Sequence, residues 1–201
     1  MNPFFEFHRE ALDPQIRENV RKTLPMLDEM KDAELREKVI DAWALSLQLN
    51  GWTAIEEMPG SGMPEASAIG DQSMHIKVVM YNALSIYRNL KKAYERDFGL
   101  DEDILMACAA LHDVGKPYEY NRTERPKWVA DDKEYGMPNL RHPSYGVFIC
   151  GVCELPAPVL NVAGYHSPEG RFIKRSAYGE IVHYGSWFSL ARLCDLNIPK
   201  L

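Results

Sequence analysis

The feature that most constrains the fold is a series of amphipathic helical segments, separated by proline and glycine along the whole chain. The stretch PQIRENVRKTL stops before Pro25, and DAELREKVIDAWALSLQL runs from a plausible N-cap, Asp32, to Gly51. Alternation of polar and apolar residues with a period of two, which half-buried strands show, is hardly sustained anywhere. The sequence therefore predicts an all-α protein, built as a helical bundle.

Further helical segments follow in the second half of the chain. One runs from Ser73 to about Phe98, and Asp101 is the expected cap of the next, DEDILMACAALHDV. Three more are expected at about 142 to 153, 156 to 165 and 178 to 194. Residues 117 to 140 show no clear period and are interpreted as a surface insertion or lid.

A loop rich in proline and glycine, MPGSGMPEASAIG, divides the chain at residues 58 to 70. With 201 residues, the chain suits one domain with an appendage rather than two full domains. We therefore expect an N-terminal helical extension over residues 1–70 and a catalytic domain over residues 71–201.

Composition and charge exclude several classes of partner. The net charge is −6, which gives no basic field for a nucleic-acid polymer but leaves room for a small anionic substrate. The N-terminal residues do not resemble a secretory signal, and no stretch is apolar over a membrane-spanning length. We expect a cytoplasmic protein with no membrane partner. The four cysteines, including the C-x-x-C pair Cys150 and Cys153, are expected to be reduced and mostly buried.

The most unusual local motif is ALHDVGKP, residues 110–117, at the end of a predicted helix. His112 and Asp113 differ by about 100° around a helix, but at a fraying last turn both can converge on one ion. Gly115 is expected to end the helix in the left-handed conformation, and Pro117 to keep it from resuming. Lys116 would then lie beside the ion.

Other candidate metal ligands fall in or at the ends of separate predicted helices. Four histidines and two aspartates are more than one tetrahedral ion needs, whereas two ions sharing a bridging carboxylate would use all six. Such a donor set suits Fe, Mn, Ni, Co or Zn, and helices of a bundle can direct it into one cavity. The candidates are His75, His112, Asp113, His142, His166 and Asp195.

The ordered set H…HD…H…H…D, with HD expanded to HDVGK, resembles the dinuclear branch of the HD-domain superfamily of metal-dependent phosphohydrolases over about residues 70 to 197. The resemblance implies a mostly α-helical fold and two divalent or mixed-valent transition-metal ions. It assigns to the first ion His75, His112, Asp113 and Asp195. It makes Asp113 the bridge and assigns His142 and His166 to the second ion.

These observations lead to the hypothesis of a metal-dependent phosphohydrolase, a phosphomonoesterase or phosphodiesterase. Its substrate would be a small nucleotide-like or other phosphorylated metabolite, attacked by a metal-bridged hydroxide. Asp113 and Lys116 are the expected catalytic residues, and Lys116 would also bind the substrate phosphate. Two alternatives stay open: a di-iron HD-domain oxygenase that cleaves a small polar substrate with O₂, and a non-catalytic nucleotide- or partner-binding protein. The N-terminal helices could pack on the core or form a dimer surface, so a homo-oligomer is also possible.

Some residues have weaker claims to function. Arg171, Lys174 and Arg175 form a basic loop that would contact an anionic substrate if it is not simply solvated. The insertion contains aromatic residues that either stack on a nucleobase or form a small core, of which we favour the core; they are Tyr118, Tyr120, Trp128 and Tyr135. We expect His8 to lie on the surface, and His183 to be solvent-exposed or to act near the ligands.

Overall fold

The protein is described by a computed structural model, which covers residues 7–62, 67–167, 170 and 172–190. Its N-terminal part contains α1 (Pro14–Thr23) and α2 (Ala33–Leu49), with short 3₁₀ turns around them. A long helix, α3 (Gln72–Ala93), and α4 (Glu102–Leu111) follow. Three short helices come next: α5 (Lys116–Glu119), α6 (Arg125–Ala130) and α7 (Asp132–Tyr135). The last three are α8 (His142–Val152), α9 (Ala157–Tyr165) and α10 (Ala177–Trp187).

The described residues contain no β-strand, so the predicted all-α fold is confirmed. The only β-type backbone pairing among the described residues is an isolated bridge between Pro59 and Asp71, in the loop before α3. Within the same residues, no helix combines the length and the apolar composition that crossing a bilayer requires.

Aspartate caps fix the starts of five helices, including the short α7, where the side chain of Asp131 accepts from the backbone N–H of Glu134 at 3.0 Å. The side chains of Asp13, Asp32, Asp71 and Asp101 each accept a hydrogen bond from backbone N–H groups of the first turn that follows. The starts expected at Asp32 and Asp101 are thus confirmed. The last helix begins as expected but ends at Trp187, before the predicted residue 194, and residues 191–201 lie outside the described part.

The helices of the N-terminal part share one hydrophobic core with those that follow. The buried cluster runs without a break from Leu12 to Val182. Three side chains of the first part also donate hydrogen bonds to carbonyls around the end of α4: Trp43 to Ala110 at 2.9 Å, Ser46 to Val114 at 2.6 Å and Trp52 to Pro117 at 3.2 Å. These bonds satisfy buried carbonyls at the end of a helix and anchor the HDVGK segment. The expected division at residue 70 stays a prediction.

The turn after α4 differs from the sequence-based expectation. Gly115 has φ −83° and ψ −8°, which is right-handed, and Pro117 lies in the first turn of α5, which resumes at once. The expected left-handed stop is therefore wrong. The need for glycine is steric, because a Cβ at this position would clash with the carbonyl oxygen of His142 and lie 2.6 Å from the backbone nitrogen of Gly146. Gly115 allows the turn to press directly against the start of α8.

Three of the four aromatic residues of the insertion pack against other side chains of the protein. The ring of Tyr118 stacks on Tyr145 of α8 with centroids 4.4 Å apart, and lies 5.2 Å from the ring of Trp128. Trp128 is buried, whereas Tyr135 is exposed. Tyr120 packs against the main core. The insertion is thus held to the body of the protein by a small aromatic cluster.

Candidate metal centre

The ends of four helices bring four histidines and one aspartate together. His75 comes from the first turn of α3, and His112 and Asp113 directly follow α4. His142 is the first residue of α8, and His166 directly follows α9. His166 is partly buried, and the other four side chains are buried. Residues separated by up to 91 positions in the sequence thus meet at one point.

Asp113 lies at the centre, and its two carboxylate oxygens face different pairs of histidines. Oδ2 lies 3.1 Å from Nε2 of His75 and 3.5 Å from Nε2 of His112. Oδ1 lies 3.0 Å from Nε2 of His166 and 3.4 Å from Nε2 of His142. We call His75, His112 and Oδ2 the first half-site, and His142, His166 and Oδ1 the second half-site. Each half-site offers three ligand atoms close enough together to hold one metal ion.

Backbone carbonyls orient two of the imidazoles. Nδ1 of His112 lies 2.7 Å from the carbonyl oxygen of Ala109, and Nδ1 of His166 lies 2.9 Å from that of Ala163. A carbonyl oxygen can only accept, so Nδ1 donates and Nε2 of the neutral ring carries a lone pair. In both rings this lone pair is directed at Asp113. The Nδ1 atom of His75 is buried without a hydrogen-bond partner in the described part of the chain.

The second half-site fits a cation on the chemistry of its donor atoms alone. Nδ1 of His142 donates a hydrogen bond to a carboxylate oxygen of Glu119, so Nε2 of the neutral ring also carries a lone pair. The Nε2 atoms of His142 and His166 are 3.0 Å apart, and both face the carboxylate of Asp113. Three electron-rich atoms therefore converge, and they repel one another unless a cation lies between them.

The first half-site has the same composition. The Nε2 atoms of His75 and His112 are also 3.0 Å apart, and both face Asp113 Oδ2. Imidazole nitrogens with a shared carboxylate suit transition metals better than calcium, which prefers oxygen ligands. The donor atoms of both half-sites therefore fit a pair of transition-metal ions bridged by Asp113.

The protonation states also suit metal binding. Burial works against ionisation of Asp113, but the charge of Lys116 and the contacts with the neighbouring imidazoles outweigh it and hold the pKa of this carboxyl well below its usual range. Burial lowers the pKa of His112 to about 3. Burial lowers the pKa of His142 as well, although the hydrogen bond with Glu119 acts against it. At neutral pH the centre therefore contains an ionised carboxylate beside the neutral imidazoles of His112 and His142.

Lys116 and Gln72 both contact the carboxylate oxygen of the first half-site. Nζ of Lys116 lies 3.4 Å from Asp113 Oδ2, and Nε2 of Gln72 donates to the same oxygen at 2.9 Å. Gln72 is fully buried, and its Oε1 has no hydrogen-bond partner among the described residues. Lys116 thus lies beside the centre, and its expected roles in catalysis and substrate binding stay predictions, whereas Gln72 was not anticipated.

Two residues at the centre, Gln72 and Glu119, were missed by the sequence analysis. Gln72 lies three positions before His75, and Glu119 lies three positions after Lys116. Residues three apart share a helix face, so this spacing was the available signal. It is a weak signal, because many polar residues stand three positions from a charged one.

Several other sequence candidates lie away from the described centre or outside the described residues. Asp195 and Arg171 fall outside the described residues, so their predicted roles remain proposals. His8 pairs with Glu10, and the ring of His183 lies 5.6 Å from that of Tyr184 on its own helix.

The basic loop and the cysteines also have other surroundings. The guanidinium of Arg175 lies over the ring of Tyr165, 4.5 Å from its centroid, and Nη1 is 2.9 Å from Glu180. Cys150 and Cys153 are buried free thiols whose pKa values are raised by burial. Neither belongs to a group of described residues that could hold a metal.

The HD domain family model matches residues 73–182, which is more than half of the chain. The chain belongs to the HD domain family. The matched range of this HD domain protein includes all five residues that meet at the centre and ends before Asp195.

A curated relative is dihydroneopterin 2',3'-cyclic phosphate phosphodiesterase of Methanocaldococcus jannaschii. It is 28% identical over 172 residues, which cover 82% of this chain and 66% of the relative. No solved structure gave a significant match. The match thus spans slightly less than two thirds of the relative's own length.

Proposed function

We propose that this protein hydrolyses a small phosphate ester at a centre of two metal ions bridged by Asp113. The observation that carries the proposal is the division of four imidazoles into two pairs, one on each oxygen of a single buried carboxylate. A structural histidine cluster does not require a central ionised carboxylate, whereas a dinuclear centre uses one as its bridge. Asp195 is proposed as a further ligand of the first ion, as the family pattern implies.

Two bound ions would lower the pKa of a water molecule and neutralise charge on the phosphoryl oxygens. The side chains then have separate tasks. Asp113 and the histidines hold the centre, with the carbonyls of Ala109 and Ala163 fixing the rings. Lys116, whose side chain is 13% exposed, would bind a phosphate oxygen and stabilise the charge that develops there. In the overall reaction water adds across one P–O ester bond, which gives a hydroxyl group and a phosphate with one ester link fewer. These are two separate products from a linear ester and two groups of one product from a cyclic phosphate.

The substrate class follows from charge and from the relative. The net charge of −6 leaves Lys116 and the ions to attract an anion, which favours a small substrate over a polymer. The relative is named for a cyclic phosphodiester, so a five-membered cyclic phosphate is the first substrate to test. We propose a phosphodiesterase of this kind, with phosphomonoesters as the next class.

The test is metal analysis of anaerobically purified protein, combined with a panel of cyclic phosphates, linear phosphodiesters and phosphomonoesters. We expect about two transition-metal ions per chain and hydrolysis of at least one class without oxygen. Protein that binds no transition metal, or that cleaves no ester when loaded with Fe²⁺, Mn²⁺, Ni²⁺, Co²⁺ or Zn²⁺, would contradict the proposal.

The di-iron oxygenase is the alternative that the same ligands allow, since histidine and carboxylate ligands also suit iron. It requires iron and consumes O₂, whereas the phosphohydrolase does not consume O₂. Iron-dependent turnover of a polar substrate only when O₂ is present would replace the phosphohydrolase proposal with this one.

A further inference from the structure

The structure assigns to Glu119 the role of a positioning residue that makes the second half-site bind its ion tightly. This inference rests on the proposed dinuclear centre and goes beyond it. It predicts that the two half-sites differ in their dependence on a single carboxylate that is itself no ligand.

Glu119 makes two contacts with the same histidine. Its Oε2 accepts from Nδ1 of His142, and also from the backbone nitrogen of His142 at 3.0 Å. His142 is the first residue of α8, and its N-cap residue, Arg141, forms no capping hydrogen bond. One carboxylate oxygen therefore satisfies a free N–H at the helix start and orients the ring. The other oxygen lies 3.3 Å from Nε of Arg141, which helps to hold Glu119 in place.

Among the described residues, the other three histidines have no carboxylate partner at Nδ1. His112 and His166 donate from Nδ1 to the neutral carbonyls of Ala109 and Ala163. Nδ1 of His75 has no hydrogen-bond partner within the described part of the chain. A carboxylate behind a ligating imidazole raises the basicity of the opposite nitrogen more than a carbonyl does. Within the described residues, only the second half-site has this arrangement.

The one-turn helix α5 makes the difference between the half-sites larger. It carries Lys116 at one end, 3.4 Å from Oδ2 of Asp113, and Glu119 at the other, against His142. The ammonium group of Lys116 and the amide of Gln72 both attract electron density from Oδ2 of Asp113, which makes this oxygen a weaker ligand of the first half-site. The carboxylate of Glu119 instead makes His142 a stronger ligand of the second half-site. Helix α5 therefore weakens metal binding at the first half-site and strengthens it at the second.

The test is a titration of the metal-free, full-length chain with Mn²⁺, using calorimetry and electron paramagnetic resonance. Wild-type protein should bind two ions. In Glu119→Gln, which keeps the size of the side chain but removes its charge, we expect one site to weaken by roughly 10–100-fold and the other to stay within about twofold. The inference would be overturned if each of the two sites bound Mn²⁺ as tightly in Glu119→Gln as in the wild-type protein.

A matched control comes from the same insertion. Glu124 pairs with Lys127 at 2.8 Å and contacts none of the five residues at the centre. Glu124→Gln removes the same charge and should leave both Mn²⁺ affinities unchanged. A similar loss in both variants would show a general charge effect and would contradict a specific role of Glu119.

Double variants locate the effect. His142→Ala removes the ligand that Glu119 supports, so adding Glu119→Gln to it should cause no further loss of Mn²⁺ affinity. In a His75→Ala background, which disrupts the first half-site, Glu119→Gln should still weaken the remaining ion. The opposite pattern would place the effect of Glu119 at the first half-site and reject the inference.

A measurement without any substitution covers the case of a variant that folds poorly. Long-range ¹H–¹⁵N spectra of the metal-free wild-type chain distinguish protonated from unprotonated ring nitrogens. We expect Nδ1 of His142 to be protonated and Nε2 to be unprotonated. A proton on Nε2 would overturn the inference. Failure of the wild-type chain to bind Mn²⁺ or any other transition metal would instead reject the proposed function, so the two failures are distinguishable.

Discussion

At the scale of single residues, Asp113 decides what the centre can do. Its two oxygens separate the four imidazoles into pairs, and its pKa is held well below the usual range although the residue is buried. A buried carboxylate in this state needs positive partners, and two metal ions would supply them together with Lys116.

Asp113→Asn is expected to abolish the binding of both ions, because the neutral amide offers one weak oxygen donor in place of a bridging carboxylate. Bound ions supply several kcal/mol of transition-state stabilisation, so turnover should fall by on the order of 10³-fold or more. Elemental analysis and the ester panel measure the two effects. A variant that keeps two ions and full activity would show that Asp113 is not the bridge.

Lys116→Gln is expected to reduce kcat by roughly 10²–10³-fold while both ions remain bound, because it removes one donor to the developing charge. Metal content and steady-state kinetics on the same preparation separate the two properties. Lys127→Gln is the control, since Lys127 is exposed and pairs only with Glu124 in the described contacts. Loss of the metals together with activity in Lys116→Gln would mean that Lys116 holds the centre rather than the substrate.

At the scale of elements, the centre is formed where helices begin and end. The start of α8 and the turns after α4 and α9 supply four of the five residues, and the first turn of α3 supplies the other. Helix ends leave backbone groups without partners inside the helix, which here orient the rings of His112 and His166. The close contact at Gly115 brings two of these ends together.

Gly115→Ala is expected to lower the free energy of unfolding by roughly 1–3 kcal/mol, because the added methyl group pushes α8 away from the HDVGK turn. The shift moves His142, so the second half-site should also lose affinity for Mn²⁺. Urea unfolding and the titration measure the two effects.

Gly151→Ala is the matched control for this change. Gly151 lies in the same helix, α8, and an added Cβ there meets nothing within 4 Å. Alanine should stabilise the helix by up to about 1 kcal/mol. Equal effects of the two substitutions would show that the contact at Gly115 is not tight.

At the scale of the whole molecule, the helices before residue 70 are part of the same core as the HD domain. Trp43 is completely buried, and its indole nitrogen donates to the carbonyl of Ala110, three positions before Asp113. The helices before residue 70, which the family model does not match, therefore help to hold the end of α4 that carries His112 and Asp113.

A fragment of residues 71–201 is expected to aggregate or to unfold without a cooperative transition, because removal of α1 and α2 exposes one side of the core. Circular dichroism during heating, with the full-length chain as reference, measures this. A soluble fragment with a cooperative transition and two bound ions would instead show that residues 1–70 are a separable extension.

Acid is expected to destabilise the metal-free protein. An unfolded histidine has a pKa near 6.5, whereas burial lowers that of His112 to about 3, so below about pH 6.5 the unfolded chain binds a proton that the folded chain does not. Stability is therefore lost as the pH falls through this window, by about 1.4 kcal/mol between about pH 7.5 and pH 5.5 for this one group.

Urea unfolding of the metal-free chain at these two pH values measures the effect. His112→Asn lacks the titrating group and should show a smaller dependence on pH. An unfolding free energy that is the same at both values in the wild-type chain would contradict the low pKa of His112.

The sequence by itself determined the all-α fold and the starts of α2 and α4, and it named the four histidines and Asp113 as candidate metal ligands, a role that stays a prediction. The fold class and the helix starts are local properties, because periodicity and capping depend on residues a few positions apart. The HDVGK motif and the histidines can be read directly from the sequence. The tertiary structure decided which imidazoles pair on which oxygen of Asp113, why residue 115 is glycine, and that Gln72 and Glu119 reach the centre. Those contacts join helix ends that lie far apart in the sequence, and their distances follow from packing in the common core.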